Sequence, residues 1–183
     1  MARVFLISLG CAKNLVDSEY ILGLIKEEGY DITDDPLDAE IAIVNTCAFV
    51  RSAVEESIHT ILELASLKEK GRLRHLFVVG CFVQRYGRKL SREIPEVDGW
   101  LGTGQIYRTP EVLRAQRNNS PIIYLDRPTF LADHSAPRVQ TTPFYSAYLK
   151  IAEGCSHHCS YCIIPSLRGP FRSRTMDSVF IEA

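Results

Sequence analysis

Cys155, Cys159 and Cys162 stand at spacing C-x3-C-x2-C in the stretch CSHHCSYC, directly after the strand-like run YLKIA at residues 148–152. Three thiolates on one short loop can hold three irons of a cubane iron–sulfur cluster, whereas a fully ligated cluster needs four protein ligands. One iron is then left open, and an open iron is where a small molecule can be gripped and reduced. The alternatives are a structural zinc knot completed by His157 or His158, or unrelated surface cysteines. Zinc patterns usually pair two C-x-x-C or C-x-x-H units, and no second unit follows here. His157 and His158 lie between ligands in a loop that must be partly exposed, and neither is expected to bind iron.

Cys11, Cys47 and Cys81 form a second set. Each ends an apolar run: LISLGC, AIVNTC and FVVGC. If these runs are parallel strands of one sheet, the three thiols project from the same carboxyl edge, which is where such folds place their sites. That placement predicts a second three-thiolate cluster with a second open iron. Small cysteines buried at strand ends are also ordinary core residues, which is the competing reading.

The elements that must position these thiols follow from periodicity. Residues 4–9 read as a buried strand, and Asn14 reads as the cap of a helix with Asp17 at its third position and a stripe of Leu15, Ile21, Leu22 and Ile25. Asp17 and Glu19 then fall in the first turn, where carboxylates suit the helix dipole. An acidic loop containing Pro36 follows, with a short strand near 30–33. Residues 41–47 and 75–81 are further strands. Helices are expected from Val54 to about Lys70 and from Gln84 to Arg92, the latter ended by Pro95. A last short strand at 98–102 precedes a helix opened by Pro110 and running to Arg117. Strand–helix alternation with short, fully apolar strands predicts an α/β doubly wound parallel sheet over residues 1–118. Residues 119–145, rich in proline, read as a linker with one strand at 122–125. Residues 146–183 read as a strand, a cysteine loop and a helix over 175–182. A lone strand leaves its backbone edge uncovered, so the part after residue 145 is expected to be poorly held.

Composition sets the bounds. The chain has 183 residues, a net charge of −1 and 46% hydrophobic residues, enough for a real core. Residues 68–92 are strongly basic, which fits solvated helix faces better than a nucleic-acid surface. Six cysteines would suit disulfides only in an oxidising compartment. The start, RVFLISLGC, superficially resembles a lipoprotein signal, but its apolar part is short and reads equally well as a strand. No run approaches membrane-spanning length. The expectation is a cytoplasmic protein with reduced thiols and no membrane partner.

The C-x3-C-x2-C loop resembles the signature of radical S-adenosylmethionine (SAM) enzymes. Taken with ISLGCAKNLVDSE, VNTCAFV, VVGCFVQRYG and YLKIAEGCSHHCSYCIIPSLRGPFRSR, the chain is similar to the radical SAM methylthiotransferase family over nearly its whole length. The VDSE ending points to the branch acting on a small-subunit ribosomal protein. Ala12 departs from the family's proline, and Phe82-Val83 from its usual apolar residues; neither is a ligand. The resemblance implies two [4Fe-4S] clusters and SAM. One SAM would be the radical source, at the cluster on Cys155, Cys159 and Cys162, and another the methyl donor to sulfur at the cluster on Cys11, Cys47 and Cys81. The product would carry a methylthio group on the β-carbon of an aspartate. It further implies a ribosomal protein or ribosome, an external electron donor and a sulfur donor as partners. Residues 146–183 would be only the opening of a radical SAM (β/α) barrel.

Tyr161, just before the third ligand, is then a candidate to pack on the SAM adenine, with ordinary loop packing as the alternative. Arg168, Arg172 and Arg174 form a basic strip, with Arg168 the candidate for the SAM carboxylate; a solvated loop explains the strip equally well. No catalytic residue beyond these is assigned. The rival functions are the family's tRNA adenosine branch and, for these 183 residues alone, a non-catalytic metal- or ribosome-binding module.

Overall fold

The computed structural model describes residues 2–115 and 121–183. The amino-terminal part alternates as expected: β1 (Arg3–Ser8), α1 (Ala12–Glu27), β2 (Asp31–Thr33), β3 (Ile41–Thr46), α2 (Arg51–Glu69), β4 (His75–Gly80), α3 (Cys81–Glu93) and β5 (Gly99–Leu101). A single 3-10 turn (Ile106–Arg108), α4 (Thr109–Arg114) and β6 (Ile122–Tyr124) follow. All six strands are parallel, in the order β2-β1-β3-β4-β5-β6. The sheet is the expected doubly wound one. The strand expected at 122–125 is present as β6 and extends that sheet. The helix end expected at Arg117 and the boundary at 118–119 lie outside the described residues.

β3 and β4 are buried almost throughout because both sheet faces are covered, which is why their sequences are continuous apolar runs rather than alternations. Ala42, Val44, Leu76 and Val78 pack with Ile61 of α2 and Phe82 of α3 on one face. Ile43, Phe77 and Val79 pack with Ile21 and Ile25 of α1 and Val112 of α4 on the other. The first helix and the next two therefore lie on opposite faces. The winding reverses between β1 and β3, and the crevice at such a reversal is the usual ligand site of an open α/β sheet.

The remainder holds β7 (Ala152–Glu153), α5 (Ile164–Arg168), β8 (Arg172–Ser173) and α6 (Met176–Glu182). Only Ala152 of the strand expected over 148–152 is in a ladder, paired antiparallel with Ser173. Two carbonyls of that stretch accept from side chains, Tyr148 from Arg138 at 2.7 Å and Lys150 from Arg174 at 3.1 Å, while Ile151 accepts from the Arg174 N–H at 3.0 Å. The helix expected over 175–182 is α6, capped by Thr175, whose hydroxyl accepts from the Ser178 N–H at 3.3 Å.

Residues 137–141, in the stretch read as a linker, lie along α1: Val139 N–H donates to the Glu19 carbonyl at 3.0 Å. One expectation from the sequence is corrected here. The segment after residue 145 is anchored by buried ion pairs rather than poorly held, as its charged side chains now make clear.

Candidate functional site

The amino-terminal cysteines occupy three adjacent strand ends. Cys11 caps α1 just beyond β1, Cys47 directly follows β3, and Cys81 is the first residue of α3 directly after β4. β3 and β4 pair Thr46 with Gly80, so Cys47 and Cys81 follow level ends, and β1 pairs Ser8 with Asn45 and ends one residue short of them. Gly10 brings the first two together. Its φ is +93°, and a Cβ there would lie 2.6 Å from the Cys47 Cβ and 2.9 Å from its Sγ, so no side chain fits. Asn14 ties the edge: its amide nitrogen donates to the carbonyls of Leu9 at 2.9 Å and Thr46 at 2.8 Å, and its oxygen is 3.8 Å from the Cys81 Sγ. The Cys47 N–H donates to the buried Ser57 hydroxyl at 3.2 Å.

Asn14 was expected to cap α1, and the cap is Cys11. The helix begins earlier because its first turn is closed over the strand ends, which takes Asn14 into the interior at the third helical position. Cys11 is exposed, while Cys47 and Cys81 are buried. Burial pushes the Cys81 thiol up to about 11, and the Arg168 guanidinium works against that shift. Cys11 and Cys81 both sit at helix N-termini, where the backbone N–H groups favour a thiolate.

Among the described residues no three His, Cys, Asp or Glu side chains converge closely enough for a single metal ion. A cluster makes a different demand, since it offers irons at its corners rather than one centre. Three soft thiols on adjacent strand ends, two of them brought close by a glycine, fit such a group, and an all-sulfur donor set suits iron–sulfur chemistry over calcium or magnesium.

Cys155, Cys159 and Cys162 lie on the loop between β7 and α5. Cys155 N–H donates to the Gly169 carbonyl at 3.0 Å and Cys162 N–H to the Cys159 carbonyl at 3.0 Å, so the loop closes on itself and on the end of α5. Cys155 and Cys162 are half-buried, and Cys159 is exposed, as are His157, His158 and Tyr161. Tyr161 is 89% exposed and free to stack on a ligand. This donor set, too, consists of sulfur on one compact loop.

Arg168 is not on the surface. It is 3% exposed, and its guanidinium is bonded to Asp17 at 2.5 Å, to Glu153 at 3.3 Å and to the oxygen of Asn14. Lys150 bridges Asp17 and Glu153, the latter at 2.9 Å, and Lys13 reaches Glu153 at 3.2 Å. Burial alone would raise the Glu153 carboxyl, but Lys150 and Arg168 overcome it and hold the group at about 2. Nearby, Glu19 accepts from Arg138 at 2.6 and 2.9 Å and from the Thr141 N–H at 2.8 Å, and Arg138 continues to Glu182 at 2.6 Å. Arg174 pairs with Glu182 and donates to the Ser178 carbonyl at 2.8 Å. Arg172 donates to the carbonyls of Pro128 at 2.7 Å and Arg168 at 3.2 Å. The basic strip read from the sequence is thus spent largely inside the protein. Asp17 and Glu19 are buried anchors, not exposed carboxylates serving a helix dipole. The signal for them was weak: both flank the apolar stripe of α1, where a carboxylate that becomes buried needs a partner. The partners Lys150, Arg168 and Arg138 lie more than a hundred residues away, and no local pattern points to them.

The fold and site define an α/β protein with a thiol triad at the switch point of a doubly wound sheet and a second thiol loop docked on the same domain. Residues 3–102, more than half of the chain, match the family described as Uncharacterized protein family UPF0004, and the chain belongs to that family. Curated relatives extend the likeness. The chain is 52% identical over 182 residues to the "Ribosomal protein uS12 methylthiotransferase RimO" of Geotalea uraniireducens, covering 99% of this chain and 41% of that protein. It is 51% identical over 184 residues to the protein of the same name in Pelotomaculum thermopropionicum, with the same shares covered. The chain therefore spans about two fifths of the length of these relatives.

Proposed function

We propose that these 183 residues are the amino-terminal part of a methylthiotransferase acting on ribosomal protein uS12. The observation that carries this reading is the meeting of Cys11, Cys47 and Cys81 at one sheet edge, in a chain about half identical throughout to proteins named for that activity. Cys11, Cys47 and Cys81 would hold one [4Fe-4S] cluster, and Cys155, Cys159 and Cys162 a second that binds SAM. When bound, these groups would supply the radical that removes a hydrogen from an aspartate β-carbon and the methylthio group that replaces it.

The chain's own residues would do the positioning. Asn14 and Gly10 hold the first thiol set together, and the β7–β8 pair with the Cys155 to Gly169 hydrogen bond closes the second loop. Tyr161 is free to pack on the SAM adenine. Arg168 would have to exchange Asp17 or Glu153 for the SAM carboxylate in order to serve there. No helix among the described residues is long and apolar enough to cross a membrane. A cytoplasmic enzyme with external electron and sulfur donors is consistent with uS12 as its substrate. Domain limits at 1–118, 119–145 and 146–183 are proposed with this reading.

The test is separability of the two thiol sets in the full-length protein. Replacing Cys155, Cys159 or Cys162 by Ala should abolish SAM cleavage and product together. Replacing Cys11, Cys47 or Cys81 by Ala should leave measurable SAM cleavage and no methylthiolated uS12. Amino-terminal variants that still make product at near parental rates per folded molecule would overturn the reading.

A further inference from the structure

We propose that Arg168 is the fixed counter-charge of the amino-terminal thiol set, supplied to it by the segment that carries the second set. The inference rests on the reading that Cys11, Cys47 and Cys81 hold an iron–sulfur cluster. Asn14 is the link. Its nitrogen is fixed by the carbonyls of Leu9 and Thr46, which turns its oxygen toward both the Arg168 guanidinium and the Cys81 Sγ, 3.8 Å away. A thiolate at Cys81 has no hydrogen to offer that oxygen, so two electron-rich atoms would face each other. The guanidinium bonded to the same oxygen offsets that repulsion.

The charges around it do not cancel. Lys13, Lys150 and Arg168 are three cations against the two carboxylates Asp17 and Glu153, and Arg168, Lys150 and both carboxylates have side chains less than a tenth exposed. The one positive charge left over is that of Lys13, 47% exposed; the four buried groups balance, so Arg168 acts on the thiols through its closeness to the Asn14 oxygen rather than through a buried surplus. A cluster on three thiolates is anionic, and net charge and hydrogen bonding near its sulfurs set its reduction potential. A buried cation acts there with little screening by solvent. Arg168 lies six residues after Cys162, so the first site receives this charge only while α5 and the second thiol loop are docked.

The test uses the full-length protein with Cys155, Cys159 and Cys162 replaced by Ala, so that only the first set can be loaded. Iron and sulfide per chain are measured first, and then the midpoint potential by mediated titration. Arg168→Gln keeps a donor for Asn14 and removes the charge. It should shift the reduction equilibrium at least tenfold toward the oxidised cluster, about 59 mV for a one-electron couple. Arg168→Lys, which keeps the charge, should stay within about threefold of the parent. A loaded, folded Arg168→Gln variant with the parent's potential overturns the proposal and leaves the cluster reading intact. A parent chain that takes up no iron and sulfide overturns the cluster reading and this proposal with it. If Arg168→Gln does not fold, Asp17→Asn decides the matter: freeing Arg168 of one carboxylate should raise the potential, and an unchanged value overturns the proposal.

Discussion

Glu19→Ala tests whether residues 137–141 and the carboxyl-terminal helix are held on the amino-terminal domain. Glu19 is fully buried, and its two oxygens accept from Arg138, the Thr141 N–H and the Thr141 hydroxyl at 2.6–3.0 Å. Removing one partner of a buried ion pair costs about 3–5 kcal/mol because the other charge stays behind. Arg138 keeps Glu182 and is 15% exposed, which places the loss at the lower end. The Thr141 N–H left without an acceptor adds about 1–3 kcal/mol unless water reaches it. The sum is about 4 kcal/mol. For a chain of this length about 1 kcal/mol moves Tm by roughly 2–4 °C, so a drop of about 10 °C is expected in calorimetry. Amide exchange should accelerate at residues 139 and 141. Glu55→Ala, which breaks only the exposed Arg51–Glu55 pair, serves as the control and should change stability by less than about 0.5 kcal/mol. A Glu19→Ala protein that melts within about 2 °C of this control, a loss of no more than about 1 kcal/mol, would show that the segment is not docked as described.

Three more outcomes follow. Gly23→Ala in a solvated helix would stabilise by about 1 kcal/mol, but here a Cβ would lie 2.3 Å from the Pro137 carbonyl oxygen, so a lowered Tm is expected and a raised one would contradict the packing. Burial of Asp98 works to raise its carboxyl, yet His75 close by, the Lys68 ammonium at 2.6 Å and the Leu76 N–H at 2.8 Å bring it below its ordinary value. Its stabilisation is therefore present above the ordinary carboxylate range and is lost as pH falls through the lowered value. Asp98→Asn should be less stable than the parent at neutral pH, with the gap in urea midpoints closing below about pH 4. Ser57→Ala takes the acceptor from the Cys47 N–H and should cost about 1–3 kcal/mol. It should also lower iron uptake by the first thiol set more than by the second.

The sheet was legible because each buried strand is one continuous apolar run, and a run buried on both faces identifies itself. The three strand-end thiols were legible for the same reason, since parallel strands put their carboxyl ends on one edge. The start of α1 was not. Asn14 has the chemistry of a cap, and only the closure of the turn by Gly10 makes Cys11 the cap and sends Asn14 inward. Lys150 read only as one residue of a strand over 148–152. Its true environment depends on Asp17 meeting it across the fold beside the nearby Glu153, and the carbonyls of Tyr148 and Lys150 itself accept from arginine side chains rather than from a ladder. Arg168 had the same ambiguity, because a guanidinium in a loop after a ligand set reads alike whether it faces substrate or another domain.

The charged contact between α1 and the returning segment is no stronger, for its size, than an apolar one would be, since burying ions costs about as much as their attraction returns. What it adds is direction. Asp17 gives one oxygen to Lys150 and the other to Arg168, while Glu153 gives one to Lys13 and the other to Lys150 and Arg168. Asn14 and Asp17 are three residues apart and so share a helix face. Moving that face by one residue turns it by about 100° and would leave several charges buried without partners. An apolar seam could slide, but this one has a single register. The Cys155 to Cys162 loop begins two residues after Glu153 and ends six before Arg168, so both of its ends are set by the helix whose cap is Cys11. Both ends of that loop are thereby held on α1 by hydrogen-bonded ion pairs.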